Sequence, residues 1–374
     1  MDKKSYSLQS NRLISTDLIK ATAIILIIIN HTINVKFIDN KSIIDRQYQL
    51  LFWVYQAVSF FIVVTGVHYS KSMENLISSN YVENDSWVTG VIDWYKKDYF
   101  IKKIGRLWIP YTIEQIIWFI SYKCMGKSVN NSFFYYISGG VGPGGYYTVC
   151  MIQIIVIFPL LYYVIKKYNI MGVLSIIVFN MLYEFMVRYG LIRDSFNRLC
   201  SIRLFTGIAL GIVIYLYYQK IKGTVIPWIW FVFGVVLLLW NTRGGYSFQI
   251  ASGSWVSSSF AVVPYSAAFV YLMVAQEDKI ALIKKKNFFI SKILDMISYV
   301  SKASYHIFLV QQLYFCFRIY ERNEICLLGA AVIDIVICVV MGCLFYYLYT
   351  KCELLCHRRG KICHSTINCG GKGK

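Results

Sequence analysis

Residues 17–34 read Asp17-Leu-Ile-Lys20-Ala-Thr-Ala-Ile-Ile-Leu-Ile-Ile-Ile-Asn30-His31-Thr-Ile-Asn34. Between Lys20 and Asn30 stand only Ala, Thr, Ile and Leu. Such a run suits hydrocarbon, where only a helix satisfies a single segment's backbone polar groups. At a rise of about 1.5 Å and a turn of about 100° per residue, Lys20 and His31 lie about 16 Å apart on one helix face. Asp17, three residues before Lys20, is within reach of it. Ionisable groups inside an apolar helix require a reason for their presence. His31 reads either as a buried polar residue satisfied by another helix or as a working base. Lys20 reads either as its partner in function or as a snorkelling cation. Asn30, Thr32 and Asn34 surround His31 with further polar groups, as a hydrated cavity would require.

Similar apolar runs recur along the chain, near 16–37, 51–70, 107–124, 146–165, 171–187, 202–218, 225–241, 255–275, 299–317 and 325–349. The 374 residues are 57% hydrophobic and only 15% charged, and mean hydropathy is +0.53. A soluble domain carries about 25% charged residues. The expected fold is therefore all-α, a polytopic membrane helix bundle of about ten transmembrane helices. Residues 1–350 would form the membrane domain, and 351–374 a basic Cys- and Gly-containing cytoplasmic tail, partly disordered. No cleavable leader is expected, because further spans follow the first apolar run. With N- and C-termini on one side, Lys and Arg on that side outnumber the others two to one, which makes it cytoplasmic. The net charge of +19 sits in short clusters between apolar runs. That pattern points to membrane lipid headgroups and away from nucleic acid. The aromatic segment 87–100 reads as a helix lying in the inner headgroup layer.

The third span opens Lys102-Lys103-Ile-Gly-Arg106-Leu-Trp-Ile-Pro110-Tyr111 and then carries Glu114. Lys103 and Arg106 are one turn apart and read as cationic anchors at the inner surface. Glu114 needs a cation or donor nearby, and Glu184 and Asp334 pose the same question. Gly140-Val-Gly142-Pro-Gly144-Gly145 has dinucleotide-loop spacing, but it follows no strand and reads as a flexible loop. Cys352, Cys356, His357, Cys363, His364 and Cys369 match no strong zinc spacing, so no metal is expected. Arg188, Arg193, Arg198 and Arg203 turn about 140° per step and cannot form one stripe. They suit lipid phosphates or the pyrophosphate of a lipid-linked glycan.

Four passages together resemble the acyltransferase-3 family of membrane acyltransferases, which acylate surface polysaccharides and related glycans. They are Lys20 with His31, Phe61-Ile-Val-Val-Thr65-Gly66, Lys103 and Arg106 before Pro110-Tyr111, and Ser304-Tyr305-His306-Ile307-Phe308-Leu309-Val310-Gln311. Lys20 replaces the commoner Arg, Gln311 stands where many members have His, and Gly145–Thr148 is a loose match to the fourth-span entry. The resemblance implies an O-acetyltransferase-like enzyme of the plasma membrane. Its donor would be acetyl-CoA or another acyl-CoA, and its acceptor a glycan or lipid-linked sugar. Lys20, Lys103 and Arg106 would hold the donor's phosphates, and His31 would act as general base or as an acyl carrier. Lys20 and Asp17 would assist, and Glu114 would orient His31 or bind acceptor hydroxyls. The competing reading is a transporter or flippase for lipid-linked saccharides, although no repeated halves are visible.

Overall fold

The computed structural model describes residues 12–36, 57–79, 86–126, 132–140, 142, 144–243, 259–317 and 327–369. These residues form helices and their connections, without a strand. The helices are α1 (Ile14–Lys36), α2 (Ala57–Ser79), α3 (Ser86–Tyr95), α4 (Lys97–Cys124), α5 (Ser132–Ile137), α6 (Tyr146–Arg188) and α7 (Asp194–Leu199). A 3₁₀ turn over Ser201–Leu204 leads into α8 (Phe205–Ile221). There follow α9 (Ile226–Arg243), α10 (Val263–Ala275), α11 (Glu277–Lys286), α12 (Phe288–Phe317) and α13 (Leu327–Cys369). The last helix runs on past residue 350 into the segment expected as a tail.

Among the described residues, four helices are long and apolar enough to cross a membrane: Ile14–Ile33, Tyr146–Arg188, Ser201–Ile221 and Leu328–Leu355. The remaining long helices carry charges towards one end. In α2 these are Lys71 and Glu74, in α4 Lys97 to Arg106, and in α12 Lys292, Asp295 and Lys302. Ile226–Leu237 and Val263–Ala275 are apolar but short.

The 43 residues of α6 are two helices joined at Asn169, whose φ of 50° and ψ of −125° are non-helical. A Cβ on Gly172 would lie 2.4 Å from the Val164 carbonyl oxygen. In one straight helix these residues would be about 12 Å apart, so the chain doubles back. The break falls between the apolar runs read at 146–165 and 171–187.

α1 is held at both ends. At its start, Glu277 of α11 accepts hydrogen bonds from the Ile14 and Ser15 amides at 2.9 and 2.8 Å. A carboxylate there satisfies free N–H groups and complements the helix dipole. α12 runs alongside in the same direction: Asp17 meets Ser301, and His31 meets Phe315 fourteen residues further along each helix. Ala23, Ile24 and Ile28 are fully buried between the two contacts. Near the far end, Asp334 of α13 accepts from Thr32 Oγ1 and from the Tyr314 hydroxyl, both at 2.6 Å. That buried carboxylate joins α1, α12 and α13.

α2 and α8 approach through glycine. A Cβ on Gly66 would sit 2.6 Å from the Ile208 carbonyl oxygen, and one on Gly211 would sit 2.3 Å from the Val63 carbonyl oxygen. Small residues let helix backbones meet where lipid offers no hydrophobic drive for association. Glu184 of α6 accepts from Asn180, Ser259 Oγ and the Phe260 amide, tying α6 to the segment that enters α10. The expected headgroup helix is α3 with the start of α4. Trp94 within it is fully buried, donating to the Ile155 carbonyl at 3.0 Å, so one face of this segment packs on the bundle. The side chain of Asn34, and those of Cys356, His357, Cys363, His364 and Cys369, lie outside the described residues.

Candidate active site

The start of α1 is wired by one carboxylate. Asp17, 1% exposed, accepts from Arg12 Nε at 2.6 Å and from Ser301 Oγ at 2.8 Å, and Lys20 Nζ stands 3.9 Å away. The i,i+3 pairing of Asp17 with Lys20 was legible in the sequence. Its sharing with Arg12 and α12 was not. Asp17 thereby offsets part of two cationic charges and fixes the position of Lys20.

Lys20 lies where two cavities meet. The wider one, about 1290 Å³, opens at the basic end of α1, α2 and α4 and is lined by Arg12, Lys20, His68, Lys71, Lys103 and Arg106, with Asn75, Leu107 and Tyr215 among the others. Five Lys and Arg side chains and one imidazole face this space, and its lining contains no carboxylate. The narrower one, about 740 Å³, shares Lys20, Tyr69 and Leu107 with the first. It continues between Ile27, Phe61, Tyr147, Tyr305 and Phe308, so it is apolar and aromatic. The Tyr147 ring lies 5.2 Å from Phe308 and 6.4 Å from Phe61. Tyr305 donates to the Leu107 carbonyl at 2.8 Å, which leaves the Thr148 hydroxyl to donate to the Tyr305 oxygen at 3.1 Å.

His31 stands one turn beyond Ile27, on the face shared by Lys20 and Ile27. It is partly buried, with its ring 5.7 Å from Phe315. The neighbouring Thr32–Asp334–Tyr314 bonds hold this turn of α1 in register with α12. The structure thus brings Lys20, Lys103 and Arg106 around one basic space, with Asp17 holding Lys20 and His31 further along α1.

Two expected residues sit differently. The Lys103 ammonium is buried among rings, 3.3 Å from the Trp94 centroid, 4.2 Å from Tyr69 and 5.1 Å from Tyr99. This aromatic cage stabilises the charge without a hydrogen-bond acceptor. Glu114, 1% exposed, accepts from Gln115 Nε2 at 2.6 Å. No hydrogen bond joins it to His31 among the described residues. The glycine loop is packed: Gly142 lies against the Gln312 backbone and Gly144 against the Phe308 ring, both with positive φ. Arg203, 2% exposed, stacks over Tyr146 at 4.4 Å and is an interior residue.

Arg12, His68 and Lys71 line the basic cavity but were passed over in the sequence. His68 and Lys71 directly follow the Phe61–Gly66 stretch, and continuing that helix by one turn would have found them. His68 Nε2 lies 3.1 Å from Thr16 Oγ1, whose hydroxyl hydrogen is given to the Leu13 carbonyl. The imidazole is therefore the donor, through Nε2–H.

A family model described as an acyltransferase domain, that of acyltransferase-3, matches residues 13–350. The chain belongs to the acyltransferase-3 family. No curated protein and no solved structure matches it. As a membrane acyltransferase it needs a donor site and an acceptor site around one transfer point. α1 runs along both cavities, and the family match begins one residue before that helix.

Proposed function

We propose that this membrane acyltransferase moves an acyl group, most simply acetyl, from cytosolic acyl-CoA to a hydroxyl of a glycan or lipid-linked sugar. The observation that carries the reading is the basic cavity and its apolar continuation along α1. Cationic walls without lining carboxylates suit a polyanionic nucleotide. A narrow aromatic passage suits the slender thioester arm that follows it. Lys20 stands at the junction, and Arg106 and Lys103 complete the mouth. The arm would extend beside α1 towards His31.

In the step itself, His31 takes the proton of the acceptor hydroxyl as that oxygen attacks the thioester carbonyl. A carbon–oxygen bond forms, the carbon–sulfur bond breaks, and the departing thiolate receives the proton from His31. Asp17 serves by holding Lys20, and Glu114 by binding acceptor hydroxyls through its unpartnered oxygen. The chain crosses the plasma membrane about ten times, with both termini and the basic mouth on the cytoplasmic side, and residues 351–374 extend from the 1–350 domain.

Membranes containing the protein, supplied with acetyl-CoA labelled in the acetyl group, test the proposal. Label entering a glycan or lipid-linked sugar fraction supports it. No transfer, with lipid-linked sugar instead moving across the membrane, would favour transport and sink it.

A further inference from the structure

One wall of the basic cavity is formed by α2. His68, Lys71 and Asn75 all line the space. At i, i+3 and i+7 they fall within an arc of about 60° on one face of the helix. Ser72 also lines it, but its hydroxyl donates to the His68 carbonyl at 3.0 Å and is committed within the helix. His68 joins this wall to α1 through Thr16. Lys71 and Asn75 thus project from a helix whose position is fixed at both His68 and the Gly66–Gly211 crossing.

The α1 and α4 sides bring Arg12, Lys20, Lys103 and Arg106 to this space. Lys71, on the α2 side, is half-buried and lines the same space, whose lining contains no carboxylate. Asn75, one turn nearer the rim and exposed, adds an amide donor.

We propose that the α2 face is the second half of the donor grip, with Lys71 and Asn75 contacting phosphate oxygens of the donor's nucleotide. This rests on the acyl-CoA reading above. One ammonium–phosphate contact is a charge-assisted hydrogen bond, and its loss weakens binding by about tenfold or more.

Equilibrium binding of labelled acetyl-CoA to the purified full-length protein in lipid nanodiscs tests it. The wild-type chain is expected to bind. Lys71→Ala weakens binding tenfold or more, Asn75→Leu by a smaller factor, and Lys71→Arg largely restores it. Lys285→Ala, which removes an exposed charge outside the cavity, binds as wild type, so general loss of charge is not the cause. Repeating the Lys71→Ala comparison with donor lacking the ribose 3′-phosphate identifies the contact. A vanished effect assigns Lys71 to that phosphate, and a retained one to the pyrophosphate; either supports the grip. If the wild type binds and Lys71→Ala binds within twofold of it, α2 is not part of the donor site, while the acyl-CoA reading stands. If the wild type binds no acetyl-CoA, both fall.

Discussion

Asp334 is a carboxylate with a structural occupation. It accepts hydroxyl hydrogens from Thr32 on α1 and Tyr314 on α12, the residues next to His31 and Phe315. Asp334→Ala leaves both hydroxyls without that acceptor, and each such bond within a membrane is worth about 1–2 kcal/mol. The expected outcome is a lower melting temperature in detergent, with a fall in turnover because the His31 turn loses its register. Arg106 differs, since it lines the basic cavity and its proposed role is in donor binding. Arg106→Ala should raise the apparent KM for acyl-CoA more than it lowers kcat, and steady-state kinetics at varied donor concentration checks this. At this scale the Lys20–His31 alignment was legible because it depends only on helix geometry. Asp17, Asp334 and Glu184 also take partners from segments tens to hundreds of residues away, and nothing local names those. Lys103 was legible as a cation but not as a caged one, since its cage combines Tyr69 from α2, Trp94 from α3 and Tyr99 from α4.

Among the elements, the α2–α8 crossing positions one wall of the basic cavity. Gly66 and Gly211 bring the two backbones together, and α2 then carries Tyr69 and Lys71 into the cavity wall. A valine at position 211 would meet the Val63 carbonyl and Gly66 Cα, which are backbone atoms and cannot rotate aside. Ordinary overpacking costs about 1–3 kcal/mol. Gly211→Val should exceed that and sharply reduce the yield of monodisperse protein on size-exclusion chromatography, whereas Gly223→Ala, at a turn with open space around it, should not reduce the yield comparably. The apolar runs predicted most of these helices because hydrophobic length is a local property. The break at Asn169 was placed between two runs by composition. That α3 packs Trp94 into the bundle was not legible, since an aromatic, basic segment has the same composition whether or not one face packs inward.

For the whole molecule, basic groups gather at one end of α1, α2, α4, α11 and α12. Lys284 of α11 pairs with Asp295 of α12 at 2.7 Å there, and Glu277 caps α1 beside it. A bundle with this asymmetry is expected to insert with that end in the cytoplasm. Fluorescent-protein fusions at the two termini should both light up, since the fluorophore matures on the cytoplasmic side. A dark C-terminal fusion beside a bright N-terminal one would mean an odd number of crossings. That orientation also matters for the proposed chemistry, because an acyl-CoA donor would enter from the cytosol.

The account centres on one imidazole placed beyond an apolar passage from a basic mouth. Its most direct test is single-turnover acyl transfer by His31→Ala in membranes, alongside acetyl-CoA binding to the same sample. Retained binding with transfer reduced by at least about a hundredfold, the scale of a lost general base, is the predicted result. Transfer at the wild-type rate would contradict it.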